Sequence, residues 1–300
     1  MADELVARLP FRAPFDGGAL LAWLAARAVP GVEEVDGGLY RRSLRLPHGP
    51  GVVELALGTD SVSGRLWLED ERDVAPAEAH CGRLLDLDAD PRVVAGHLGS
   101  DPLLGPLVRA APGLRVPGSV DGAELAVRAV LGQQISVAAA RTGAGRLAAE
   151  HGEALPRPRG TVTTLFPSSA VLAALDPARL PMPRARAVGL VGLCRALAGG
   201  DLRLDPGADR AQARRRLLAL RGIGPWTAGY VAMRALGDPD VFLAEDLGVR
   251  HALRRLGGPD DLRAARALAA AWAPWRSYAS QHLWQAPAPS RASNVGLPPS

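Results

Sequence analysis

The sequence predicts an α+β fold, in which an antiparallel β-sheet domain at the N-terminus is followed by two mainly α-helical domains. Three observations predict it. Alternating apolar stretches, bounded by Gly, Pro and Asp, lie before Ala75. From about Ala75 onward the apolar spacing becomes helical. The charge divides with the pattern: residues 1–112 carry 11 Arg against 17 Asp and Glu, a net of −6, and residues 113–300 carry 24 Arg against 14 acids, a net of +10. A basic rear behind an acidic front points to a polyanionic partner.

In order along the chain, Asp16 precedes ALLAWLAARAV, a helix of about three turns that stops at Pro30. Tyr40–Leu46, Val52–Leu57 and Ser61–Leu68 alternate as antiparallel strands with one solvated face. These make a sheet domain over 1–82, followed by a helical segment over 83–118 that packs with the C-terminal part. Pro112, Gly113, Pro117 and Gly118 mark a joint before a helical domain over 119–236. That domain opens with Asp121-Gly-Ala-Glu124, a capping box, before LAVRAVL. Gly132-Gln133-Gln134 interrupts the pattern, and Ser136 is placed to cap the next helix. The stretch 152–168 is rich in Pro, Gly and Thr and reads as a loop; helices follow near 168–175, 184–198 and 209–220. A last helical segment spans 237–285, and the Pro/Ser-rich 286–300 reads as a disordered tail.

Composition excludes several classes. With 300 residues, 48% hydrophobic and 22% charged, the chain has material for cores and is not a disordered or collagen-like polymer. No apolar run is long enough to span a bilayer. MADELVARLP has acids before its first Arg and no apolar core, unlike a secretory signal. Cys81 and Cys194 cannot make a disulfide framework or a four-cysteine cluster, and the six His lack metal-site spacing, so no metal is expected. The expectation is a cytoplasmic protein, a monomer without a membrane partner. All 35 basic residues are Arg, so no lysine ε-amine exists for a Schiff base.

The most informative segment is Leu217–Met233, LLALRGIGPWTAGYVAM. An apolar helix ends at Arg221, Gly222-Ile223-Gly224 makes a sharp turn, and Pro225 suits the first position of a second helix. Two glycines two apart let backbone approach a ligand closely. The free N–H groups opening the second helix favour an anion, and together these features describe a phosphate clamp. On this segment alone an ordinary αα-hairpin stays open. Twenty residues after Trp226 comes Asp246, closing VFLAED where an N-cap belongs. Capping N–H groups stabilise a carboxylate in the charged form that a developing cation needs. Seven of the 13 aromatics lie between residues 226 and 284. Trp226 and Tyr230 share a helix face, and Phe242, Trp272 and Trp275 are expected in the core. An aromatic pocket from the others suits a flat, preferably cationic, heterocycle.

LRGIGPWTAGY, VFLAED and the upstream VLGQQIS together resemble the helix-hairpin-helix DNA glycosylases, and within them the DNA-3-methyladenine glycosylase II group. The resemblance covers nearly the whole chain, from WLAARAV and YRRSL to WAPWRSYASQHLW. It implies a glycosylase core that binds duplex DNA, flips out an N-alkylated base and hydrolyses its bond to the sugar, without lyase activity. It implies Asp246 as the catalytic residue and Trp226, Tyr230 and Trp284 as pocket aromatics. DNA contacts would come from Gly222 and Gly224, with Arg221 and Thr227, while Gln133 and Gln134 would fill the gap left by the flipped base. At the position of Gln134 the group carries an apolar wedge, from which this chain departs. No cofactor is implied beyond a structural monovalent cation at the hairpin carbonyls. A non-catalytic helix-hairpin-helix DNA-binding module, or a glycosylase for oxidised or mismatched bases, remains open at this point.

Overall fold

The structure is a computed structural model that describes residues 4–286. The tail expected over 286–300 lies, apart from Ala286, outside the described residues.

The chain enters through β1 (Leu5–Pro10) and α1 (Gly17–Arg27), then β2 (Glu33–Asp36), β3 (Leu39–Leu46), β4 (Gly49–Leu57) and β5 (Ser61–Leu68). These strands form one antiparallel sheet in the order β1-β5-β4-β3-β2. Asp16 caps α1 by accepting from the Ala19 N–H at 2.9 Å. Alternation puts Tyr40, Leu44, Val53, Leu55 and Leu66 on one face, packed on Leu20 and Leu24 of α1 and on Leu84 of α2 (Val74–Leu85). Strand β2, Glu-Glu-Val-Asp, has no apolar alternation to signal it, and β1 is a short edge strand.

The other sheet face is not simply solvated, which corrects one expectation. Residues 152–168, expected as a loop, contain a hairpin of β6 (Glu153–Arg159) and β7 (Val162–Leu165). Leu155, Val162 and Leu165 cover Val52 on that face, and the Ser43 hydroxyl donates to the Thr164 carbonyl at 2.8 Å. Pro156 and Pro158 hide the strand in the sequence. They are tolerated because the ladder is irregular between Ala154 and Arg159, where a missing N–H costs no pairing.

The remainder is helical: α3 (Pro91–Leu98), α4 (Gly105–Ala110), α5 (Gly122–Leu131), α6 (Val137–His151), α7 (Ser169–Ala173), α8 (Arg184–Ala198), α9 (Arg210–Ala219), α10 (Pro225–Arg234), α11 (Leu247–Arg255), α12 (Leu262–Leu268) and α13 (Arg276–Gln285). One core joins α5, α6 and α8–α10 around Val127, Leu190, Leu217 and Val231. A second joins α3 and α4 to α11–α13 around Leu98, Leu104, Leu253 and the fully buried Trp272, with Phe242 and Trp275 half-buried against it. Ser136 caps α6 through the Ala139 N–H at 3.2 Å. Asp121 caps α5, but the capping box is not completed: Glu124 turns inward to Arg42 and Arg128, whose charges outcompete an exposed backbone N–H.

Candidate active site

The α9–α10 hairpin is built from local sequence. Leu217 and Ile223 are buried and anchor both sides of the turn, and the Ile223 N–H closes it on the Leu220 carbonyl at 3.2 Å. Gly222 adopts φ +82°, which a side chain resists. Gly224, the N-cap residue of α10, has ordinary φ, and a Cβ there would meet nothing within 4 Å. The protein itself therefore does not require that glycine; the space above it is open. Pro225 takes the first helical position, leaving the N–H groups of Trp226 and Thr227 without intrahelical partners. Arg221 is exposed beside the turn, as are Arg214, Arg215 and Arg216 on α9.

Gln133 joins this hairpin rather than standing free. Its Nε2 donates to the Gly222 carbonyl and to the Thr227 hydroxyl, both at 2.9 Å. Thr227 is buried, so its side chain is occupied inside the protein and does not face a ligand, contrary to the expectation of a DNA-gripping side chain. Gln134 sits exposed at the tip of the α5–α6 turn with φ +61° and accepts from Arg186 Nη2 at 3.4 Å. Next to it Ile135 is 44% exposed and borders the cavity described below. The hairpin carbonyls of Leu220 and Gly222 each accept one protein N–H and keep a second lone pair, which suits at most a carbonyl-held monovalent ion. Among the described residues no group of three or more His, Cys, Asp and Glu is placed to hold a metal.

Asp246 caps α11 and is held from three directions. Its Oδ1 accepts from the Val249 N–H at 2.9 Å and from Trp284 Nε1 at 2.8 Å, and its Oδ2 from Trp226 Nε1 at 2.9 Å. Two indoles, one from α10 and one from α13, thus fix the carboxylate at the wall of a cavity of about 380 Å³. The rings form a connected wall: Trp226 stacks on Tyr230 at 5.3 Å, Tyr230 meets Trp284 edge-on at 6.2 Å, and Trp284 meets Trp23 of α1 at 5.4 Å. Glu245, the neighbouring acid, is turned away into an ion pair with Arg266.

Under the cavity lies a buried charge quartet. Arg42 donates to Glu33 at 3.1 Å and to Glu124 at 2.8 Å, and Arg128 donates to the same pair at 3.0 and 2.8 Å. Burial pushes the Glu33 carboxyl up, but Arg128, Arg42, the Tyr40 hydroxyl and the Val29 N–H outweigh it and hold it below the usual range. Arg27 and Arg234 border the same cavity without a carboxylate partner. The Arg27 guanidinium lies 3.4 Å from the centre of the Trp23 ring.

Residues 6–121 match the AlkA N-terminal domain, and residues 127–277 match the HhH-GPD superfamily of base excision DNA repair proteins. Escherichia coli DNA-3-methyladenine glycosylase 2 is 38% identical over 283 residues, covering 92% of this chain and 95% of that protein. The chain belongs to the HhH-GPD superfamily. A Mycobacterium tuberculosis protein described as "Probable bifunctional transcriptional activator/DNA repair enzyme AlkA" is 53% identical over 94% of this chain, which spans only 57% of that protein's length. A solved 3-methyladenine DNA-glycosylase from Archaeoglobus fulgidus shares the fold, with a TM-score of 0.79, 21% identity and coverage of 93% of this chain and 97% of that one.

Within this HhH-GPD chain, the cavity gathers Trp226, Tyr230, Trp284 and Asp246, all named from the sequence, and leaves Arg221, Gly222 and Gly224 on the outer hairpin. Trp23, Arg27, Arg234 and the quartet carry no such signal. They reach the site from α1, β2, β3 and α5 through tertiary packing alone, although Trp23 in an otherwise aliphatic helix is unusual enough to have marked it.

Proposed function

We propose that this chain is a monofunctional DNA glycosylase of base-excision repair that releases N-alkylated bases, of the 3-methyladenine and 7-methylguanine kind, from duplex DNA. One observation carries the reading: a carboxylate aimed by three N–H donors into an aromatic cavity, reached past a hairpin whose outer face is open backbone and arginine. The E. coli relative, named for DNA-3-methyladenine, supports the substrate class.

The hairpin holds the DNA backbone. The orphan N–H groups at the start of α10, with open space over Gly224 and Arg221 alongside, receive phosphate. The damaged nucleotide leaves the stack and enters the cavity, the unstacking cost being offset by contacts in the bent complex. An alkylated purine already carries positive charge and departs as a neutral molecule, so no strong general acid is needed. As the glycosidic bond lengthens, the sugar gains cationic character, and Asp246 stabilises it electrostatically and orients the attacking water. Trp226 and Trp284 keep the carboxylate in place through the transition state. Without any lysine in the chain, a lysine Schiff base is not available, which supports hydrolysis alone. The working form proposed is a monomer in the cytoplasm at the nucleoid; no helix among the described residues is long and apolar enough to cross a membrane.

The test is release of free base from methylated duplex DNA by the wild type and by Asp246→Asn. We expect release by the wild type and a fall of at least about 10²–10³ in the variant with duplex binding kept. Undiminished release by the variant removes Asp246 from the chemistry, and no release by the wild type removes the reading altogether.

A further inference from the structure

Arg27 is the least satisfied charge in the cavity. A guanidinium has five N–H donors and no acceptor, yet this one makes a single side-chain hydrogen bond, from Nη1 to the Trp23 carbonyl at 3.3 Å. No carboxylate stands within ion-pair distance of it. Every acid bordering the same space is committed elsewhere: Glu33 and Glu124 to Arg42 and Arg128, Asp121 to the start of α5, and Asp246 to its three N–H donors. The nearest charged neighbours repel. Arg234, itself buried with its Nε unpartnered, lies 5.4 Å from the Trp23 ring that Arg27 also covers. Burial lowers the Arg27 side chain to about 10, helped by Arg234 and opposed by the Tyr230 hydroxyl, which still leaves it charged at neutral pH.

A half-buried cation with free donors and no acceptor is costly unless an occupant supplies one. We infer that Arg27 is a specificity-determining residue, donating to an acceptor atom on a neutral flipped base of the keto-purine kind and disfavouring bases that are already cationic. The inference rests on the base-releasing reading above. It also changes the preference that the aromatic wall alone suggests, because a ring of tryptophans attracts cations and a neighbouring arginine opposes them.

The chemistry gives such a donor work. When a neutral base departs, the glycosidic bond breaks with its electron pair on the base. Water's oxygen bonds to the sugar C1′, and water's proton ends on the released base. Negative charge therefore grows on the base in the transition state, where a guanidinium stabilises it. A cationic base leaves with its charge neutralised and gains nothing from Arg27.

The experiment measures single-turnover release of hypoxanthine from a duplex with one deoxyinosine, and of 3-methyladenine from methylated duplex, by wild type and Arg27→Met. Methionine keeps an apolar stem over Trp23 and removes charge and donors. The expected result is a fall of about tenfold or more in the ratio of hypoxanthine to 3-methyladenine rates. Arg27→Lys, which keeps the charge but loses the planar fork, should fall between the two, and serves if the Met variant melts at low temperature. An unchanged ratio overturns the inference. A parallel fall in both rates with weaker, less salt-sensitive duplex binding also overturns it, because it assigns Arg27 to a phosphate. A wild type that releases 3-methyladenine but no hypoxanthine sinks the inference and leaves the proposed function standing; one that releases neither sinks both.

Discussion

The outer hairpin and the cavity floor are built on opposite principles. The hairpin at 217–227 closes on its own neighbours, with one turn, one buried Ile223 and its polar backbone ends facing out. The floor is made of residues far apart in sequence: Arg42 meets Glu124 across 82 positions and Arg128 meets Glu33 across 95. At the hairpin a ligand is to complete the hydrogen bonding. On the floor the protein completes it internally, and the neighbouring Arg27 is the group left over. Surface grip and pocket chemistry can therefore be altered separately, and the two should respond to different variables, salt for one and acid for the other.

Breaking the floor should have the largest effect. Glu124→Ala leaves Arg42 and Arg128 sharing a single carboxylate in a buried setting, and we expect a stability loss of about 3–5 kcal/mol by urea unfolding. A loss below about 1 kcal/mol would mean that water enters and solvates the quartet. Acid should reach the floor next. The Glu33 carboxyl is lower in the folded protein than its unfolded value of 4.5, so its stabilisation is complete above that value and is lost as pH falls through the lowered folded value. Stability followed against pH should therefore drop on the acid side by up to about 1.4 kcal/mol per pH unit from this group. Glu33→Gln, destabilised throughout, should lack that part of the slope; an identical slope would place the acid response elsewhere.

The same contrast explains which parts were legible from sequence. GIGPW specifies its turn through neighbours, because a positive φ at Gly222 and a fixed φ at Pro225 are local requirements. Asp246 was legible as a cap because N-caps are also local. That two indole N–H groups aim its carboxylate was not, since Trp284 comes from a helix 38 residues further on. Glu124 shows how a local rule loses. In sequence it completes a capping box, but the partner that wins is Arg42, on a strand of another layer. The β6 strand was hidden by its two prolines, which only an irregular pairing tolerates. Arg27 was invisible for a further reason: its importance lies in the partner it lacks, and no spacing encodes a missing carboxylate.

At the hairpin, Gly224→Val should weaken duplex binding about tenfold, roughly 1.4 kcal/mol. The added side chain occupies space that nothing in the protein fills, so stability should stay within about 0.5 kcal/mol of the wild type. Unchanged affinity and salt dependence would remove the phosphate clamp from this turn.

The smallest effect, and the one that sharpens the comparison most, is expected at Gln133, the side chain that ties the α5–α6 turn to the hairpin. Gln133→Ala removes two hydrogen bonds at 2.9 Å and leaves the buried Thr227 hydroxyl without its donor, a change of about 1 kcal/mol in stability. If the tie only braces the fold, base release and duplex binding should both follow that small loss. If it sets the height of Gln134 and Ile135 over the cavity, release should fall more than binding, because those residues border the flipped nucleotide's path and not the phosphate clamp. Comparing single-turnover release with duplex affinity in this one variant separates the two. We expect release to be the more sensitive, since Gln134 at φ +61° stands on a turn whose contact with the hairpin is made through Gln133.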